Sequence, residues 1–182
     1  MNPTRKNSAS QALLLIDFIN LLDFDRAGKL APRAVKAARS AARLKAALAA
    51  KGVPCIYAND NFGNWRSEFS ALVEVCLAKS GPSQAIAEVL RPTGKDLSVL
   101  KPRHSAFYGT PLEFLLQELG IRKLIIAGIA VDMCVLATAQ DAYVRQYEIA
   151  VPSNCSAGFS AGEEKEALSL MGRAMRADTR RR

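Results

Sequence analysis

The stretch Lys123-Leu124-Ile125-Ile126-Ala127-Gly128-Ile129-Ala130-Val131-Asp132-Met133-Cys134 decides the fold. Its first seven residues make a near-continuous apolar run of strand length, the pattern of a strand buried on both faces. A turn of small residues follows, and residues 133–145 then carry apolar side chains at helical spacing. A doubly buried strand that runs straight into a helix is half of a parallel βαβ unit.

Outward from this unit the alternation repeats. Upstream, residues 12–16 read as a first strand ending at Asp17, and residues 32–50 as a helix closed by Gly52. Residues 53–58 form a second strand; residues 67–78 and 83–90 are helical on either side of the Gly81-Pro82 break. A third strand, 97–100, ends at Lys101-Pro102, and Thr110-Pro111 opens a helix that Gly120 stops. Downstream come a fifth strand at 148–151 and a last helix at 163–176, with a faint signal for a short sixth strand. The expectation is an α/β fold: one doubly wound domain of three layers, with a mainly parallel sheet between helices. Its span is 11–178, between a disordered polar tail at 1–10 and a basic tail at 179–182.

Composition narrows the function classes. The chain has 182 residues, 49% hydrophobic and 23% charged, enough to bury one core. The polar start lacks the apolar stretch of a secretory signal, and no apolar run is long enough to span a bilayer, so a cytoplasmic protein is expected. The net charge of +8 suggests nucleic acid, but residues 173–182 hold five Arg against one Asp, and Arg5 and Lys6 add to it. Basicity gathered at the ends, without a nucleic-acid-binding signature, reads as solvated tails. The four cysteines are far apart with no C-x-x-C pair, which argues against thiol redox chemistry, and one His in the chain argues against a Cys/His zinc site. No Gly-x-Gly-x-x-Gly follows the first strand, which removes a dinucleotide site.

Open parallel sheets place their sites at the carboxyl ends of the strands. Those ends here carry Asp17, Asn59-Asp60-Asn61, Lys101, and the turn leading to Cys134. Each alone has a plain structural reading: a strand-end cap, a solvated loop cation, a small core residue. Together they bring an acid, a cation and a thiol to one edge. Cys134 near a helix start, with Lys101 beside it, should favour the thiolate, and unpaired N–H groups there could hold an oxyanion. Asp17 would be the base that takes the thiol proton. Cys55, Cys76 and Cys155 read as core, and His104 as the holder of a structural hydrogen bond. Asn61, Phe62, Trp65, Phe107 and Tyr108 fall in loops at the same edge and are the expected substrate pocket.

These residues fall into three ordered motifs. Gly128-Ile129-Ala130-Val131-Asp132-Met133-Cys134 with Thr138-Ala139-Gln140-Asp141 resembles the nucleophile motif of the isochorismatase-like cysteine hydrolases. Leu15-Ile16-Asp17 with Asn20 resembles that family's first-strand aspartate motif, and Lys101-Pro102-Arg103-His104-Ser105-Ala106-Phe107 with Thr110-Pro111-Leu112 its lysine motif. The resemblance implies a triad of Asp17, Lys101 and Cys134, and a cis peptide at Ile129-Ala130. It also implies an oxyanion hole from the N–H groups of Ala130 and Cys134. The implied reaction is hydrolysis of a small amide or carbamoyl compound through a thioester, in a homo-oligomer that needs no cofactor. The alternative is a diverged relative that binds a ligand or partner without turnover. The nicotinamidase branch holds a metal through an Asp-x-His motif after the second strand; the segment here, Asn59 to Trp65, has no His. Ile19, Leu21-Leu22 and Asn154 also depart from the family pattern, near the expected pocket or its scaffold.

Overall fold

Alternate side chains of the first strand enter two different cores, which is what makes the molecule three layers deep. The computed structural model describes residues 10–62 and 68–182. In β1 (Gln11–Ile16), Leu13 and Leu15 join one buried cluster while Ala12, Leu14 and Ile16 join another. The first cluster is closed by α1 (Ala27–Ala49), α2 (Phe69–Ala78) and α3 (Pro82–Val89), through residues such as Ala34, Ala38, Cys76 and Ile86. The second is closed by α4 (Leu112–Glu118), α5 (Leu136–Val144) and α6 (Ala161–Met175), through Leu116, Ala139 and Met171.

The remaining strands are β2 (Cys55–Asp60), β3 (Leu97–Lys101), β4 (Lys123–Ile129), β5 (Glu148–Ala150) and β6 (Ser156–Ala157). They pair in the order β3-β2-β1-β4-β5, with β6 also on β4, and every pairing is parallel. The expected α/β architecture is borne out. Parallel pairing puts all the carboxyl ends on one edge, and the register sets Ile16 beside Ala58 and Gly128, and Asp60 beside Lys101. Gly128 is required there: a Cβ on it would stand 2.3 Å from the Ile16 carbonyl oxygen. Among the described residues, no helix is long and apolar enough to cross a membrane.

Several boundaries differ from expectation for local reasons. Helix α1 starts at Ala27, five residues before Pro32, because Arg26 in a left-handed conformation (φ 63°) sets the entry. Pro32 is the sixth residue of this helix, so lacking an N–H it forgoes the bond to Gly28 O that an interior residue would make. Helix α6 starts earlier as well, where the Ser160 hydroxyl accepts from Glu163 N at 3.2 Å. Helix α4 starts at Leu112, whose N–H donates to Thr110 Oγ1. The helix of Cys134 opens with one π-helical turn, Val131–Val135, before α5.

The C-terminal residues differ most. Residues 179–182 are not a free basic tail. Asp178 forms a parallel bridge with Ala150, and its carboxylate pairs with Arg180 and Arg182 at 2.8 and 2.7 Å. Arg182 is also held by Asn154 through two hydrogen bonds, so the departure noted at Asn154 serves the scaffold. Composition sees arginines and misses their one carboxylate. At the other end, the tail proposed for 1–10 lies outside the described residues except for Ser10, whose carbonyl accepts from Arg122 and Lys123.

Candidate active site

Asp17 follows β1 directly and takes a left-handed backbone (φ 51°), a region Asp adopts more readily than most residues. Its N–H donates to Ala58 O, and its Oδ1 accepts from Asp60 N at 2.7 Å. Lys101 ends β3, two strands away, and only a side chain this long reaches across β2. Its Nζ meets Asp17 Oδ2 at 2.8 Å, Arg103 O at 3.0 Å and Cys134 Sγ at 3.7 Å. Three donors thus meet three acceptors, the full capacity of an ammonium. Lys101 is 0% exposed. Burial by itself would lower its pKa, but the carboxylates, Asp17 foremost, outweigh it and hold the ammonium above its usual range.

Cys134 sits in the π-helical turn, which begins right after the cis peptide between Ile129 and Ala130. A hydrogen-bonded chain ties this turn to the lysine loop. Thr138 Oγ1 donates to Cys134 O at 2.7 Å and accepts from Ala106 N at 3.0 Å, and Ser105 Oγ donates to Asp141. This is the work of Thr138 and Asp141 in the sequence motif: they set where the lysine loop lies relative to the sulfur.

The electrostatics differ from the sequence expectation at the thiol. Burial, followed by the Asp17 carboxylate, raises the Cys134 pKa; Lys101 opposes this without overcoming it. The resting group is therefore a thiol, and a nucleophilic role would require a base to take its proton. Burial also raises the pKa of Asp17, against the pull of Lys101 and its hydrogen bonds, which makes it a stronger base than an exposed carboxylate. Accessibility rather than acidity distinguishes the four cysteines, since Cys55, Cys76 and Cys155 are all buried and Cys134 is part-exposed. A soft alkylating agent at neutral pH is expected to modify Cys134 first, with peptide mapping of partly labelled protein as the measurement; labelling of Cys55 or Cys76 ahead of it would contradict the site.

A cavity of about 490 Å³ opens above these groups. Asp17, Ala130 and Cys134 line it, with walls that include Phe24, Arg26, Phe62, Met133 and Phe159. Phe24 meets Phe159 edge-on at 6.4 Å, and the Arg26 guanidinium lies 4.3 Å from the centre of the Phe159 ring while pairing with Glu163 at 2.8 Å. The loop after β1 is thereby docked on the start of α6. Asp17, Arg26 and Phe62 all have positive φ, and such strain tends to collect where a site must be held in shape.

Among the described residues, only one of the expected pocket residues lies here. Phe62 lines the cavity, and Trp65 lies outside the described residues. Phe107 is buried in the second core, under Arg145 at 4.9 Å and against Tyr147 at 6.0 Å; Tyr108 faces outward, 63% exposed. Neighbours in a loop point in different directions, and the lysine loop turns both away from the sulfur. Asn61 is buried beside β3, where its N–H donates to Lys101 O, and it does not line the cavity. His104, read as structural, stands instead with Nδ1 3.5 Å from Cys134 Sγ. Phe24, Arg26, Met133 and Phe159 were missed, although Phe24 and Phe159 lie in loops that follow strand ends and the same rule reaches them.

The isochorismatase domain family model matches residues 11–179. The chain belongs to the isochorismatase family. Among its relatives, the uncharacterized isochorismatase family protein YaaI of Bacillus subtilis is 38% identical over 165 residues, covering 91% of this chain and 90% of that protein. Ureidoacrylate amidohydrolase RutB of Methylorubrum extorquens is 44% identical over 71 residues, which is 39% of this chain and 29% of the enzyme. The structure of N-carbamoylsarcosine amidase from Thermoplasma acidophilum superposes with a TM-score of 0.72 at 26% identity, covering 94% of this chain and 95% of that one.

Isochorismatase-family nicotinamidases carry a metal, and the residues here do not fit one. Asp60 and His104 both line the cavity, but no group of three or more His, Cys, Asp or Glu side chains that could hold a metal gathers among the described residues. The sequence of residues 63–67, Gly-Asn-Trp-Arg-Ser, supplies no further ligand of these types.

Proposed function

We propose that this isochorismatase-family protein is a cysteine hydrolase of a small amide or carbamoyl compound. The observation that carries the reading is that Asp17 and Cys134 line one cavity and that the buried Lys101 beneath them contacts both. Asp17 takes the Cys134 proton as the sulfur attacks the substrate carbonyl carbon. The N–H groups of Ala130 and Cys134 receive the oxyanion. Asp17 then hands the proton to the leaving nitrogen as the C–N bond breaks, and Lys101 holds the Asp17 side chain in place and stabilises its carboxylate before the proton arrives and after it leaves. Water cleaves the resulting thioester. The names of RutB and of the carbamoylsarcosine amidase point to substrates of this class.

The test is ammonia release from a panel of small primary amides and N-carbamoyl compounds, with Cys134→Ser as the control. Turnover that depends on Cys134 supports the reading. Release above background and equal in both proteins would remove Cys134 from the reaction, and binding of a panel member with no turnover in either would replace the reading with the ligand-binding alternative. Two further outcomes are expected. Since Asp17 must be ionised to act and its pKa is raised, the acid limb of kcat/KM should lie above the ordinary carboxylate range near pH ~4. Treatment with EDTA should leave turnover unchanged, and activity lost to chelation and restored by a divalent ion would contradict the site as described.

A further inference from the structure

The chain has one histidine, and its ring is in contact with the reacting sulfur. We propose that His104 is a second acid–base group of this site, which takes the proton from the water that cleaves the Cys134 thioester. This rests on the cysteine-hydrolase reading above and goes beyond the triad.

The two steps present different geometries. In the first, the acceptor of the thiol proton stands on the buried side of the sulfur, where Asp17 is 4% exposed. The Asp17 oxygens are already engaged there, one by Asp60 N at 2.7 Å and the other by Lys101 Nζ at 2.8 Å. In the second step the proton to be removed belongs to a water arriving from the cavity. His104 lines that cavity and is exposed, on the open side of Cys134. Once the sulfur is acylated it has no proton to share, so the 3.5 Å contact with Nδ1 is released. That nitrogen is then one water away from the acyl carbon bonded to the sulfur. The tautomer that serves has its proton on Nε2.

The step balances. Water gives a proton to Nδ1 while its oxygen bonds to the acyl carbon. The tetrahedral adduct then collapses, the C–S bond breaks with its electrons going to sulfur, and the imidazolium returns its proton across the same contact to restore the thiol. The acid product leaves, and His104 ends neutral. No other reactant is consumed.

An activated ester separates this step from the identity of the natural substrate. The protein is acylated with 4-nitrophenyl acetate and desalted, and loss of the acetyl group is followed by intact-mass spectrometry for the native chain, His104→Gln, and His104→Ala with and without free imidazole. The expected result is acetylation of Cys134 in all three and an acetyl lifetime about 10²-fold longer in both variants. Imidazole should shorten it in His104→Ala. If His104→Gln clears the acetyl group at the native rate, the proposal is wrong while the nucleophile stands; if imidazole does not restore the rate, His104 is structural and the proposal is again wrong. If neither the native chain nor the His104 variants are acetylated on Cys134, the cysteine-hydrolase reading fails and this inference with it.

Discussion

Replacing Asp17 by Asn is expected to abolish turnover and to destabilise the fold. The activity loss follows from the raised thiol pKa: without a base the sulfur keeps its proton, and a positioned general base contributes ~10²–10⁴-fold. The stability loss follows from Lys101, which is fully buried and pairs with Asp17 at 2.8 Å. Removing one member of a buried pair typically costs about 3–5 kcal/mol, because the other charge is left unpaired. An Asn amide can still accept from Asp60 N, so the backbone arrangement should survive. The measurement is turnover together with the thermal midpoint. Near-native turnover in a folded Asp17→Asn would remove Asp17 from the mechanism and turn attention to Asp60, which lines the same cavity.

Gly128→Ala is expected to have a comparable effect from a position that touches no substrate. The added methyl would stand 2.3 Å from Ile16 O and 2.6 Å from Ile16 Cβ, and a strand backbone in mid-sheet cannot step aside as a flexible side chain can. Overpacking of this kind costs about 1–3 kcal/mol and occasionally more, roughly 2–4 °C of thermal midpoint per kcal/mol at this size. The only relief is to part β1 from β4, which moves Asp17 away from Ala130. Activity should therefore fall further than stability accounts for. Gly94→Ala is the control, since a Cβ there meets nothing within 4 Å, and it should behave as the native chain. Equal behaviour of the two variants would show that the close approach has no bearing on the site.

The sheet was legible because its strands are short apolar runs bounded by turn residues, and because parallel pairing leaves few ways to arrange them. Asp17, Lys101 and Cys134 were legible for the same reason, as residues just past strand ends. What stayed hidden depends on direction and on distant partners. Whether Phe107 faces core or cavity is decided by Arg145 and Tyr147 in the second core. The contact of His104 with sulfur is set by the stitching of Ser105 to Asp141 and Ala106 to Thr138. The anchoring of the arginine-rich end depends on the carboxylate of Asp178 and the side-chain amide of Asn154. Net charge on the thiol was misjudged because strand-end position says nothing of burial.

The wall made by Phe24, Arg26, Phe159 and Glu163 joins residues up to 137 positions apart. During synthesis, Asp17, Lys101 and Cys134 all leave the ribosome before α6 does. A nascent chain that has paired β3, β2, β1 and β4 can hold these three side chains together, yet the cavity beside them lacks a side until residues 159–163 emerge and dock. Long-range closure of this sort is among the slower events of folding. The cavity is thus complete only with the last helix, and a fragment ending before it, complemented by a separate α6 peptide, would be a direct way to watch it assemble.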